Sequence, residues 1–301
     1  MSESAGESIA RGSFLPLGPA RLYIREVGYG QPIIIVHGGP DFDHEYLLPD
    51  MDRLAEFFRL VYYDQRGRGR SADGVKPEDV TIISEVGDLE AVRLHLGLDR
   101  TAVLGHSWGG LVAMEYAIRY PDQVSHLVLM NTAPASHQDY LMFRDHLRAR
   151  RSPDDVAEME RLRSSSEYQQ GDLDVDAEYN RRHFKNAVAH PEYVDLVVGR
   201  LRTHFTPETL RLARAIEQHL YEQTWELPDY DLLSELSQLR IPALVIHGAQ
   251  DFIPIDIARH IAASMPGARL IVLANCGHFA YLEQPKRVGS SITEFLRQAG
   301  L

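Results

Sequence analysis

Residues 98–120, LDRTAVLGHSWGGLVAMEYAIRY, constrain this chain more than any other stretch. An apolar run at 101–104 meets Gly105-His106-Ser107-Trp108-Gly109, and apolar residues at helical spacing follow. A serine placed between a strand and a helix in this way sits on a sharp, strained turn with its hydroxyl above the sheet edge. Glycines two residues before and after it let the two elements approach. The helix contributes as well: its N-terminal dipole and free N–H groups favour negative charge beside Ser107, and the N–H of Trp108 is placed to bind an oxyanion. The same string also closes ordinary glycine-rich turns; the strand before it and the helix after it set this one apart.

The chain around this turn alternates strands and helices. Residues 1–12 are small and polar and read as a mobile tail, and 14–17 and 21–27 read as short strands about the Gly18-Pro19 turn. The β-branched run 33–36 suits a central strand covered on both faces, and it ends in His37-Gly38-Gly39-Pro40. Gly39 is the candidate second oxyanion donor, with His37 as a structural hydrogen-bonding group. Helices are expected over 47–58 and 80–96, and strands over 60–63 and 124–130. Three arginines in Asp64-Gln65-Arg66-Gly67-Arg68-Gly69-Arg70-Ser71 raise a phosphate site, but the string lacks the Gly-Lys-Ser/Thr ending of a P-loop. The alternation predicts a mainly parallel sheet with helices on both faces.

The rhythm breaks at Pro134. From 134 to 239 the apolar positions recur only at helical spacing among charged, mostly acidic residues, which predicts an inserted helical cap. The core is therefore expected at 13–133 and 240–301. Its second part opens with the stretch 241–251, an apolar strand running into a loop that presents Asp251, continues with a helix at about 255–264, and delivers Asn275-Cys276-Gly277-His278 after a strand at 269–273. The helix 285–298 closes it. Ser107, Asp251 and His278 follow one another in the order of an α/β-hydrolase triad.

The strings HGGPDFDHEYLL, YYDQRGRGRS, GHSWGG, GAQD and NCGH, with about 100 helical residues before GAQD, resemble the proline iminopeptidase group of α/β-hydrolases. The likeness runs over residues 20–300. It implies an α/β-hydrolase fold and a serine hydrolase with Ser107 as nucleophile, His278 as base and Asp251 as its orienting carboxylate. Relatives sharing these strings include aminopeptidases, esterases and hydrolases of carbon–carbon bonds. Aspartate at 41, where the group commonly has glycine, and His106 before the nucleophile depart from the pattern.

The chemistry fits these residue types. Serine is a weak nucleophile until a base takes its proton, histidine titrates near neutral pH, and a carboxylate fixes the imidazole tautomer. The oxyanion would lie between the N–H groups of Gly39 and Trp108. Asp256 is the alternative carboxylate, His278 could instead be a core histidine, and Cys276 reads as a packed residue. The leading expectation is an aminopeptidase of the proline iminopeptidase type. The rivals are a carboxylesterase or lactonase, a carbon–carbon hydrolase, and a non-catalytic receptor on the same fold. Selecting a free amine requires a carboxylate facing the pocket, for which Asp41, Glu178 and Glu222 are the candidates.

Composition narrows the partners. A single cysteine excludes an internal disulfide and a cysteine-built metal site, and no His-Glu-x-x-His pattern suggests zinc, so no cofactor is expected. A net charge of −12 disfavours nucleic acid and anionic membranes, which leaves a small molecule or short peptide as substrate. No apolar run reaches membrane-spanning length and the opening residues lack a secretory pattern, so the cytoplasm is the expected location.

Overall fold

The structure, a computed structural model, describes residues 10–298. Among these, β1 (Arg11–Leu17), β2 (Ala20–Val27), β3 (Pro32–Val36), β4 (Arg59–Tyr63), β5 (Thr101–His106), β6 (Val124–Met130), β7 (Ala243–Gly248) and β8 (Arg269–Leu273) form one sheet. Its order is β1-β2-β4-β3-β5-β6-β7-β8. The β1–β2 hairpin joins antiparallel and the remaining pairs are parallel. Every residue of β5, β6 and β7 is buried, as strands covered on both faces require. The covering helices include α1 (Ile82–His95) and α2 (Trp108–Arg119), the latter packed on β5 and β6. Thr81 and Ser84 cap the start of α1 reciprocally.

Between β6 and β7 the described residues carry seven α-helices: α3 (His137–Arg150), α4 (Pro153–Arg163), α5 (Ser166–Gln170), α6 (Leu173–Phe184), α7 (Val194–Leu201), α8 (Pro207–Glu222) and α9 (Leu233–Leu236). Polar contacts seat this helical segment on the sheet domain. Arg200 meets Asp50 at 2.7 Å, the Trp225 indole donates to the Pro134 carbonyl at 2.9 Å, and Tyr230 donates to Glu115 at 2.8 Å. The chain closes with α10 (Ile255–Ser264), α11 (Ala280–Glu283) and α12 (Pro285–Gln298).

Three expectations need adjustment. Arg11 and Gly12 belong to β1, where they lie opposite Glu26 and Arg25, so the tail does not extend to residue 12; its residues 1–9 lie outside the described residues. The expected helix 47–58 is instead two 3-10 turns, His44–Leu47 and Met51–Glu56. Pro49 stands between them and offers no N–H to an α-helical ladder. The arginines of the 64–71 loop form no anion site: Arg66 pairs with Asp88, Arg68 with Glu85 in full burial, and Arg70 with Glu45.

Candidate active site

Ser107 stands between β5 and α2 with φ 54° and ψ −122°, a conformation that costs a non-glycine residue about 1–3 kcal/mol. The flanking glycines make the turn sterically possible. A Cβ on Gly105 would lie 2.2 Å from the Gly109 carbonyl oxygen, and one on Gly109 would lie 2.1 Å from that of Val36. The turn is pinned by its own backbone, since the Ser107 carbonyl accepts from Gly110 at 2.9 Å and Ala133 at 3.0 Å.

His278 and Asp251 meet at the ends of neighbouring strands. The His278 Nδ1 lies 3.0 and 3.1 Å from the two Asp251 oxygens. Asn131 donates to the same carboxylate at 2.7 Å and the Ile253 N–H at 2.9 Å. Burial pushes the Asp251 pKa up, but the His278 and His247 imidazoles outweigh it and hold the carboxyl below its ordinary range. A carboxylate so held fixes the proton on Nδ1 and leaves Nε2 able to accept one. Asp256, the alternative carboxylate, sits on α10, is more than half exposed, and pairs with Arg259 at 2.8 Å.

Ser107, His278, Gly39, Trp108 and Asp41 line one cavity of about 340 Å³, a size suited to a small ligand. The N–H groups of Gly39 and Trp108 have no protein acceptor among the described residues, which leaves both free for an oxyanion. His37 is a structural group: its Nδ1 donates to the Gly38 carbonyl at 2.8 Å, and its Nε2 accepts from the Gln65 N–H at 3.1 Å. Burial lowers its pKa to about 3, so it stays neutral.

His106 does more than precede Ser107. It is buried and neutral, with burial and then His278 lowering its pKa to about 3. Its Nε2 donates to the His278 carbonyl at 3.0 Å, so its Nδ1 must accept, and it accepts from the Tyr46 hydroxyl at 2.7 Å. The Tyr46 oxygen accepts in turn from the Gly38 N–H at 2.7 Å. One hydrogen-bonded line thus joins the glycine loop, the residue before Ser107 and the His278 loop.

The cavity wall beside Trp108 is acidic and aromatic. Tyr140 stacks on Trp225 with centroids 5.0 Å apart, and Tyr221 and Trp108 approach Trp225 at 5.1 and 5.3 Å. Into this corner point Asp41 and Glu217, the latter accepting from the Tyr221 hydroxyl at 2.9 Å. Burial raises the Asp41 pKa well above the carboxylate range, and repulsion from Glu217 and Asp176 adds to it. Glu217 is raised by burial too, with Tyr221 and Arg214 opposing.

Two of the expected pocket acids are not there. Glu178 is on the outer face of α6, paired with Arg181 and Arg182, and Glu222 is exposed at the end of α8 beside Gln218. Helical geometry explains both. The inward face of α6 carries Asp176, Asn180 and His183, and the inward face of α8 carries Leu210, Ala213, Glu217 and Leu220, neither of which includes 178 or 222. Glu217, overlooked from sequence, was detectable as an acid inside the apolar stripe of its own helix.

This arrangement matches known proteins. The sequence pattern of the alpha/beta hydrolase fold family covers residues 31–285, and the chain belongs to that family. A proline iminopeptidase of Saccharolobus solfataricus is 28% identical over 92% of this chain and 88% of its own. The proline iminopeptidase structure from Mycobacterium smegmatis superposes with a TM-score of 0.72 at 24% identity, over 96% of this chain and 98% of that one. A 2-hydroxy-6-oxo-6-phenylhexa-2,4-dienoate hydrolase from Rhodococcus sp. strain RHA1 gives 0.73 at 24% identity, over 96% and 99%. The fold is shared with each.

Proposed function

We propose that this chain is a serine hydrolase of small acyl compounds that works through an acyl-enzyme on Ser107, and that its leading activity is release of an N-terminal residue such as proline. His278 takes the Ser107 proton as the hydroxyl attacks the carbonyl, Asp251 stabilises the imidazolium that forms, and the N–H groups of Gly39 and Trp108 hold the oxyanion. His278 then protonates the departing amine, and water repeats the sequence to free the acyl product.

The observation that carries the aminopeptidase reading is the pair of acids, Asp41 and Glu217, in the aromatic corner beside the oxyanion donors. Two adjacent, raised carboxyls form a site whose charge is relieved by a cation, and aromatic faces add cation–π attraction for an ammonium. The likeness to proline iminopeptidases supports the same substrate class. A panel of aminoacyl anilides, simple esters and lactones tests this: fastest turnover of the prolyl anilide is expected, and turnover of esters or lactones alone would contradict it.

A further inference from the structure

The wall of the cavity beyond His278 carries a cation that no acid neutralises. Arg151 follows α3 and lines the cavity, but among the described residues it has no ion-pair partner. Its Nη2 meets the His183 Nδ1 at 2.9 Å, and its Nε is buried without a hydrogen-bond partner. His183 brings no charge, because burial and then Arg151 itself lower its pKa to about 3. Asp155, which acts on Arg151 electrostatically, is already bound by Arg182, Lys185 and Ser152. The other arginines of the cavity are engaged elsewhere: Arg214 pairs with Asp176, and Arg144 lies over the Tyr140 ring. A half-buried guanidinium whose Nε is enclosed without a partner calls for an anion.

The position of Arg151 says which part of a substrate it meets. His183 packs edge-on against Phe252 at 5.6 Å, and Phe252 against His278 at 4.6 Å, so Arg151 lies on the histidine's side of the cavity. The acids lie on the side of Trp108 and the oxyanion donors. In acyl transfer the acyl group rests by the oxyanion donors and the leaving group by the histidine that protonates it. Those two ring spacings together span no more than about three extended residues at roughly 3.5 Å each, which limits the leaving portion to a short peptide.

We propose that Arg151 binds the C-terminal carboxylate of the leaving portion, so that the enzyme takes short free peptides gripped at both ends. The ammonium faces Asp41 and Glu217, and the carboxylate faces the fork of Arg151. This rests on the aminopeptidase reading above and specifies its substrate class.

The test compares Pro-Gly-Gly as the free acid and as the C-terminal amide, with prolyl p-nitroanilide alongside, in the wild type, Arg151→Met and Arg151→Lys. The readout is the acid-to-amide ratio of kcat/KM within each protein, in which any general loss of activity cancels. The wild type is expected to favour the acid by about tenfold or more, Arg151→Met to lose that preference, and Arg151→Lys to keep part of it. Equal rates on acid and amide in the wild type, or a preference that survives Arg151→Met, would overturn the proposal while leaving the aminopeptidase reading intact. The wild-type ratio stands as a test even if the methionine variant does not fold. Failure to hydrolyse any of the three prolyl compounds would overturn both.

Discussion

Each group at the centre of the cavity has a distinct chemical burden, and the effects of removing them should differ accordingly. Ser107→Ala should lower kcat on the order of a million-fold with the fold intact, because nucleophile and base act as a unit. Asp251→Asn should lower kcat by about ten-thousand-fold by imposing the wrong tautomer on His278, whereas Asp256→Asn should stay near wild type. The reverse pattern in steady-state rates would reassign the carboxylate. Tyr46→Phe strands the Gly38 N–H and the His106 Nδ1 inside the protein, each costing about 1–3 kcal/mol. Urea unfolding should report that loss, and an unchanged midpoint would show that the line of hydrogen bonds carries no stability. The residues legible in the sequence were Ser107, Asp251 and His278, because each stands at the end of a strand whose apolar run marks it. Tyr46, Glu217 and Arg151 were not. Their roles depend on partners more than 30 residues away or on which face of a helix between β6 and β7 turns inward, and neither is encoded in a local pattern.

At the scale of elements, the turn that carries Ser107 depends on two contacts between backbones. Gly109→Ala would drive a Cβ against the Val36 carbonyl, where neither strand nor helix can yield, so a loss of at least about 3 kcal/mol is expected. Gly87→Ala is the control within the same layer of helices. Gly87 is exposed in α1 with open space around its Cα, and alanine there should stabilise by about 1 kcal/mol. Thermal melts that moved in the same direction for both would contradict the steric reading of the turn. Elements were also where sequence reasoning erred. The apolar spacing of 47–58 satisfies a helical template, yet Pro49 removes a donor and the chain settles for short 3-10 turns.

Over the whole molecule, the sheet carries Ser107, Asp251 and His278 while the helices between β6 and β7 supply most of the cavity wall. Tyr140, Arg151, Asp176, His183 and Glu217 all come from that helical segment, which leads us to expect that internal bonds of a folded protein are excluded. Incubation with a native globular protein should leave it intact by mass spectrometry, and internal cleavage would refute the expectation that these helices narrow the approach. The acidic balance that the sequence shows across this segment is mostly surface charge, but two acids turned inward, Asp41 from the sheet domain and Glu217 from α8, are the groups we propose to set the site's preference. The decisive comparison is kcat/KM for proline amide against N-acetylproline amide, measured in the wild type and in Glu217→Gln. A free amine held by buried carboxylates should be favoured by about a hundred-fold, the worth of a charged hydrogen-bonded pair of about 3 kcal/mol, and the substitution should erase most of that margin. Equal rates on the free and acetylated compounds would contradict the assignment of this cavity to an N-terminal residue.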